Sequence, residues 1–406
     1  MRGCWAALIC IEIGLFARPV RAQIDPENRR LIQIGYNQSV EGQGPIAAYG
    51  FFYYNKPGFL NTNLTLRLTA APIYVDGELG FKSLLGENTD FAVGLAGGGF
   101  ADSYSEVRQG HLRKGESFNG HGGEASASVY HLFNPGRLVP LYGIVRGSVH
   151  ASFFASDTDT DKSFVIPDDF MTFHLRTGIR FGGKEPSVNA PVAMELSLWY
   201  DGQYRNDSSF YGFANERHVQ PQSHLFWGRA LCRYTTETLG QMLDASVTSG
   251  VSVRPDRFTA YRLGGVLPFA SEFPLNIPGY YFQELSAERF ALLNTQYSIP
   301  ITPNGSWNLT LAAAGGYVDY LPGMEQSGNW HSGVGGGISF TSPSGAWFIS
   351  LIYGHGFGSI RDGERGSNQA GLVLQYDFDA KKKDGPRRFV PAVSPYRSRG
   401  GERLLH

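Results

Sequence analysis

The C-terminal quarter of the chain alternates apolar residues with polar or small ones at a period of two. Five such segments follow one another at 289–301, 307–320, 331–343, 346–357 and 369–378, divided by turn chemistry. In the fourth, Trp347, Ile349, Leu351 and Tyr353 alternate with Phe348, Ser350, Ile352 and Gly354. In the fifth, Ala370, Leu372, Leu374, Tyr376 and Phe378 alternate with Gly371, Val373, Gln375 and Asp377. Successive side chains of a strand point to opposite faces, so these segments predict strands with one apolar face and one small or polar face. Short turns on one side and longer loops on the other are the signature of a transmembrane antiparallel β-barrel.

The same pattern runs upstream through 31–37, 46–55, 63–69, 73–82, 91–105, 116–133, 139–156, 170–182, 193–204, 218–235 and 242–253. Together the segments predict an all-β chain with about sixteen strands, an even count that suits a closed barrel with both ends on one side. The segment at 170–182 sets Met171, Phe173, Leu175, Ile179 and Phe181 against Thr172, His174, Arg176 and Arg180. By the same alternation Glu195, Asp201, Arg229, Arg233 and Asp244 face the lumen. Such charges either line a solute path or pair with one another and stiffen the wall, and pairing is the expectation. One connection stands out by length, 254–288, between the eleventh and twelfth strands. Loops over about 15 residues are usually functional or disordered.

Composition narrows the class. Only 17% of the residues are charged and 14% are aromatic, while mean hydropathy is slightly polar. A helical membrane protein is far more apolar, whereas lipid-facing and lumen-facing positions of a barrel average out. A formal net charge of -1 implies no nucleic-acid partner. Residues 1–22 read as a signal peptide: Arg2, an apolar core over 4–17, and Val20-Arg21-Ala22 before Gln23. Removal of Cys4 and Cys10 leaves Cys232 alone, so no intrachain disulfide is expected. The expected organisation is therefore signal peptide 1–22, barrel 23–380 in a bacterial outer membrane, and basic periplasmic tail 381–406 carrying Lys381-Lys382-Lys383 and Arg387-Arg388.

The ending His331…Gly335-Gly336-Gly337-Ile338…Ser342-Pro343-Ser344-Gly345…Ile349-Ser350-Leu351-Ile352-Tyr353-Gly354, with sixteen strands and a dominant sixth outer loop, resembles the BamA-type surface-antigen barrel superfamily. The resemblance implies a barrel that helps to insert or translocate proteins at an outer membrane. Within the long loop it places Gly264-Gly265 near the start and Ile277-Pro278-Gly279-Tyr280 at the tip. Three departures follow. The tip arginine of the family is replaced by Pro278, and its acidic partner on the thirteenth strand by Ala314. Either charge alone would be left unpaired in a confined lumen, so joint loss is physically consistent. The periplasmic POTRA repeats that receive client chains are also missing from the expected organisation, which implies a separate periplasmic subunit.

The loop is the leading candidate site. Gly279, Tyr280 and Tyr281 are expected to form a compact tip that plugs the lumen, with Pro268, Pro274 and Pro278 restricting the chain. The bland alternative is an extracellular loop with a rigid turn. A weak seam is expected between the short strand 31–37 and the last strand, exposing an edge to a client when open. Asp157-Thr158-Asp159-Thr160-Asp161 lacks the glycine and distal glutamate of a calcium loop. His111, His121 and Glu124 lack tight metal-ligand spacing. Neither a Gly-x-Ser-x-Gly elbow nor a His-Glu-x-x-His motif occurs, so no enzyme, cofactor or metal is expected. The expected role is outer-membrane protein or lipid assembly; the alternatives are a passive porin-like channel and a purely structural barrel.

Overall fold

The computed structural model describes residues 24, 27–45, 47–137, 139–183, 192–236, 240–267 and 273–380. The expected signal peptide and basic tail lie outside the described residues. Sixteen strands form the wall. They are β1 (Arg29–Ser39), β2 (Ala47–Pro57), β3 (Leu64–Ala71), β4 (Tyr74–Phe81), β5 (Thr89–Gly98) and β6 (Phe118–Leu132). Next come β7 (Leu141–Ser156), β8 (Phe170–Gly182), β9 (Val192–Arg205), β10 (Gln222–Thr235) and β11 (Met242–Val253). Last are β12 (Leu285–Pro300), β13 (Trp307–Tyr320), β14 (Trp330–Thr341), β15 (Trp347–Arg361) and β16 (Glu364–Asp377). Each strand pairs antiparallel with its neighbours in sequence, and β16 returns to β1, closing the sheet.

The alternation has the predicted meaning, with the usual burial rule inverted. Leu95, Leu198, Val247, Leu293 and Leu351 project outward and are exposed, whereas Arg67, Asp76, Glu195, Arg229 and Thr248 are buried inside. An apolar medium around the wall satisfies both facts. No helix among the described residues is long and apolar enough to cross a membrane.

Strand ends depart from expectation where backbone chemistry intervenes. β5 stops at Gly98, not at 105, because Gly99 turns away and Phe100 takes a positive φ of 60°. β10 starts at Gln222 because Pro221 breaks the run; Arg217 and His218 pair instead with Phe210 and Tyr211 in a small hairpin. Phe378 falls just beyond β16, although its N–H still donates to Arg30 O at 2.9 Å. Ahead of β1, Ile24 is buried inside the barrel. Ile24 packs so closely on β4 that a Cβ at Gly80 would meet its Cδ1 at 2.6 Å. Glu27 O accepts from Asn55 Nδ2 at 2.6 Å.

The closing seam is stronger than expected. β1 has 11 residues, and its ladder with β16 runs in register from Leu31↔Asp377 to Ser39↔Gln369, as long as its ladder with β2. Side chains clasp both ends. Arg30 Nη2 donates to Asp379 at 2.8 Å, and Glu41 accepts from Asn368 N and Nδ2, each at 2.6 Å. Midway, Gln33 Nε2 donates to Gln375 Oε1 at 2.9 Å. Cysteines replacing Gln33 and Gln375, in a Cys232→Ser background, are expected to oxidise nearly completely in the resting protein. A non-reducing gel that shows no cross-link would mean the seam stands open at rest.

Candidate functional site

The described residues of the connection between β11 and β12, 254–267 and 273–284, run back through the barrel interior. The connection begins at the mouth, where Asp256 accepts from Gln220 N at 2.9 Å and Arg205 pairs with it at 2.5 Å. Tyr261, Arg262 and Leu263 then add a short strand to the upper end of β12. Leu267 is fully buried against the inner face of β16, where a Cβ at Gly371 would meet Val266 at 3.0 Å. Phe273 lies against the far wall, edge-on to Trp199 and Trp227, with ring centroids 5.5 and 5.9 Å away. The chain returns through Ile277 to a tip at Pro278–Tyr281 on β14, β15 and β16.

A small hairpin gives the loop its shape. Gly264 N donates to Leu275 O at 2.9 Å, Gly265 N to Tyr280 O at 3.2 Å, and Gly265 bridges Ile277. Apolar burial holds this hairpin on the wall: Ile277, Tyr280, Leu285, Leu292, Ala314 and Val318 form one cluster. Ala314, which the resemblance aligned with an acidic position, therefore belongs to the same buried apolar cluster as Ile277 and Tyr280. A carboxylate there would be buried without a cation.

The wall makes room for the tip. Cβ atoms at Gly354 and Gly356 would lie 2.7 Å from Pro278 Cβ and 2.9 Å from Tyr280 Cε2, and one at Gly333 would overlap Pro278 O. The reverse holds for Gly279. It has a φ of 84°, and a Cβ there would strike the backbone of Gly356. Gly333 and Gly335 of β14, with Gly354 and Gly356 of β15, are the bed of the loop.

Polar contacts bolt the tip in place. Arg361, at the end of β15, donates from both terminal nitrogens to Glu284, at 2.9 and 2.8 Å. Its guanidinium carbon stands 3.5 Å from the Tyr281 ring centroid. Glu284 also accepts from Tyr281 N at 2.7 Å, and Ser367 Oγ donates to Gly279 O. His331 joins the hydroxyls of Tyr280, at 2.9 Å, and Tyr320. Where the resemblance implied a tip arginine, this chain has a charge pair of the opposite polarity: the wall supplies the cation and the loop the anion. Sequence reasoning missed Arg361 and Glu284, which lie 77 positions apart with no spacing to link them. It also missed the anchor Phe273.

The predicted wall residues come together in pairs across adjacent strands. Arg176 reaches Asp201 at 2.6 Å, with His174 at 3.5 Å from the same carboxylate. Arg229 takes Glu195 at 2.6 Å and Arg180 lies 3.8 Å from it; Arg233 takes Asp244 at 2.8 Å. Arg229 also stands 4.3 Å from the Phe273 ring, so this pair is part of the loop's far anchor. A second network joins Arg67, Asp76, Glu78, Arg146 and Glu124. The interior is accordingly divided: β3 to β11 present charge, and β12 to β16 present glycine and apolar surface covered by the loop. The C-terminal residues Leu372, Leu374, Tyr376 and Phe378 lie on the outer side, Tyr376 and Phe378 packing edge to face. Glu124 is held by Arg146, His121 lies against Phe100, and His111 is exposed. No group of three metal-ligating side chains forms among the described residues.

Over β6 to β11 the outer loops pack into a cap with an aromatic core of Tyr104, Phe118, Phe164, Phe170 and Tyr211. Beside it Glu106 is buried among Arg257 at 3.1 Å, Arg108 at 3.2 Å and Arg217 at 3.6 Å.

No protein-family model and no curated protein matches the chain. Among solved structures it is similar to CdiB from Acinetobacter baumannii, with a TM-score of 0.57 and 11% identity over 87% of this chain and 60% of that one. It is similar to CdiB from Escherichia coli, with a TM-score of 0.58 and 12% identity over 86% of this chain and 63% of that one. BamA from Haemophilus ducreyi lacking POTRA domains 1–3 follows, with a TM-score of 0.55 and 8% identity over 87% and 71%. The barrel has the same fold as these three structures. The likeness is one of fold, and the chain spans less than two thirds of either CdiB structure.

Two outcomes follow from these contacts. Arg361→Ala strands the Glu284 carboxylate in a buried site and is expected to cost about 3–5 kcal/mol in urea unfolding from vesicles; exchanging the two residues should recover part of that loss. An unchanged unfolding midpoint would show that the pair does not hold the tip. The second concerns the cap. Burial raises the Glu106 pKa, but Arg257 and Arg217 outweigh it, leaving the carboxyl below its ordinary value of 4.5. A lowered carboxylate pKa contributes stability above the ordinary value, lost as pH falls through the folded one. Protease cleavage of the outer loops should therefore rise only below pH 4.5, and Glu106→Gln should be cut equally above and below it.

Proposed function

We propose that this chain is an outer-membrane barrel acting in protein or lipid assembly or translocation, with its lumen closed at rest by the 254–284 loop. The observation that carries the reading is the loop's attachment to opposite walls, by Phe273 between Trp199, Trp227 and Arg229, and by Gly279–Tyr281 on β14 to β16. A passive pore has no use for a segment bolted at both ends. The fold shared with CdiB and BamA supports the same class. Outer-membrane lipids are the surroundings in this reading, and a periplasmic subunit or client chain is the partner. No catalytic step or cofactor is part of it, since the wall's charged side chains are engaged with one another. The clasped β1–β16 ladder moves the emphasis from a weak seam to the loop.

A passive channel remains the competing reading on one observation. Trp199 Nε1, Trp227 Nε1, Thr65 Oγ1 and Ser128 Oγ are buried without a protein partner among the described residues. Buried polar atoms of this kind are ordinarily paired with ordered water, which an open, hydrated lumen would supply. Planar-bilayer conductance separates the two. A Cβ at Gly264 would lie 3.2 Å from Glu284 N, so residues 266–282 can be excised and the ends rejoined. The intact protein is expected to be nearly closed and the excised form to conduct steadily. A large steady conductance in both would make the protein a porin.

A further inference from the structure

We propose that the two periplasmic turns flanking the β3–β4 hairpin are immersed in inner-leaflet phospholipid, which displaces the barrel's apolar belt toward the periplasm on that side. The inference rests on the outer-membrane reading above. β3 and β4 have 8 residues each, the shortest of the wall, against 15 in β15. At ~3.3 Å per residue and a tilt of ~40°, such strands rise roughly 20 Å, short of the ~25 Å apolar band of outer-membrane barrels. At the outer end Pro72 and Ile73 close the hairpin at once, so no height is gained there beyond Ile73.

The missing height lies at the other end. The turn after β2 carries Phe59 and Leu60, and the turn after β4 carries Leu84 and Leu85; Leu60, Leu84 and Leu85 are 85%, 57% and 56% exposed. The two turns are adjacent, since Lys82 N donates to Asn63 O at 2.8 Å. Single exposed leucines need no explanation, but a cluster beneath the two shortest strands does. Lys56 and Lys82 flank it, with stems that suit acyl chains and ammonium groups that suit phosphate headgroups, while Glu87 is the one acid of its turn. A docked protein would also cover leucines. It would not make up the strand deficit, and that deficit selects lipid.

The test places a nitroxide at Leu60→Cys or Leu84→Cys in a Cys232→Ser background. Leu351→Cys, on the outer face of β15, is the control. In vesicles of phosphatidylethanolamine and phosphatidylglycerol, both turn labels are expected to collide several-fold more with oxygen than with an aqueous nickel chelate, as the control does. Nickel access at both turns with a lipid-like control overturns the proposal alone. Nickel access at the control as well overturns the membrane reading and the proposal together.

Discussion

Everything in this molecule depends on closing a sheet in a medium that offers no hydrogen bonds. A strand edge left open toward lipid costs several kcal/mol for each unpaired backbone group, by the order of magnitude of amide transfer to hydrocarbon. The nine-residue ladder between Leu31–Ser39 and Gln369–Asp377 removes that edge. Once it exists, the outer face has to be apolar and the polar side chains have nowhere to go but inward. The paired arginines and carboxylates of β3 to β11 are a consequence of that constraint before they are anything else. Cross-strand placement lets each cation meet an acid on the next strand.

The interior then faces a second problem, because a barrel of this size is too wide for wall side chains alone to fill. Two solutions coexist. Over β3 to β11 long charged side chains reach inward and satisfy one another. Over β12 to β16 apolar side chains and the glycines of β14 and β15 leave space that is given to the returning loop. The loop touches both regimes. Phe273 enters the charged half through aromatic and guanidinium contacts, whereas Ile277 and Tyr280 bury in the apolar half. A segment with such different ends has one orientation in which both are satisfied.

Much of the architecture was legible because a two-residue period is a direct imprint of the pleat. Met242–Val253 and Trp307–Tyr320 are recovered to the residue. Where the reading slipped, at Gly98 and Pro221, glycine and proline overrode a continuing pattern. The loop's importance was visible in its length, and the inward cations in their alternation. The latch was not visible. Arg361 ends β15 and Glu284 is the loop residue just ahead of β12, and only the closed barrel brings them within 2.9 Å. The glycines of β14 were equally opaque. A missing side chain looks the same whether it relieves crowding within a sheet or clears a bed for another segment.

The bed has a consequence for the order of events when the chain folds. Residues 273–281 precede β14, β15 and β16 in the sequence, so the tip leaves the ribosome before the surface that receives it. Until those three strands register, Pro278, Gly279 and Tyr281 lack the glycine bed and the Arg361 contact that seat them, and the tip remains open to holding factors or to misassembly. Seating the tip belongs to the last stage of maturation, when the C-terminal strands are already in place. The tip touches all three of those strands, so it fits only a barrel in which they are in register.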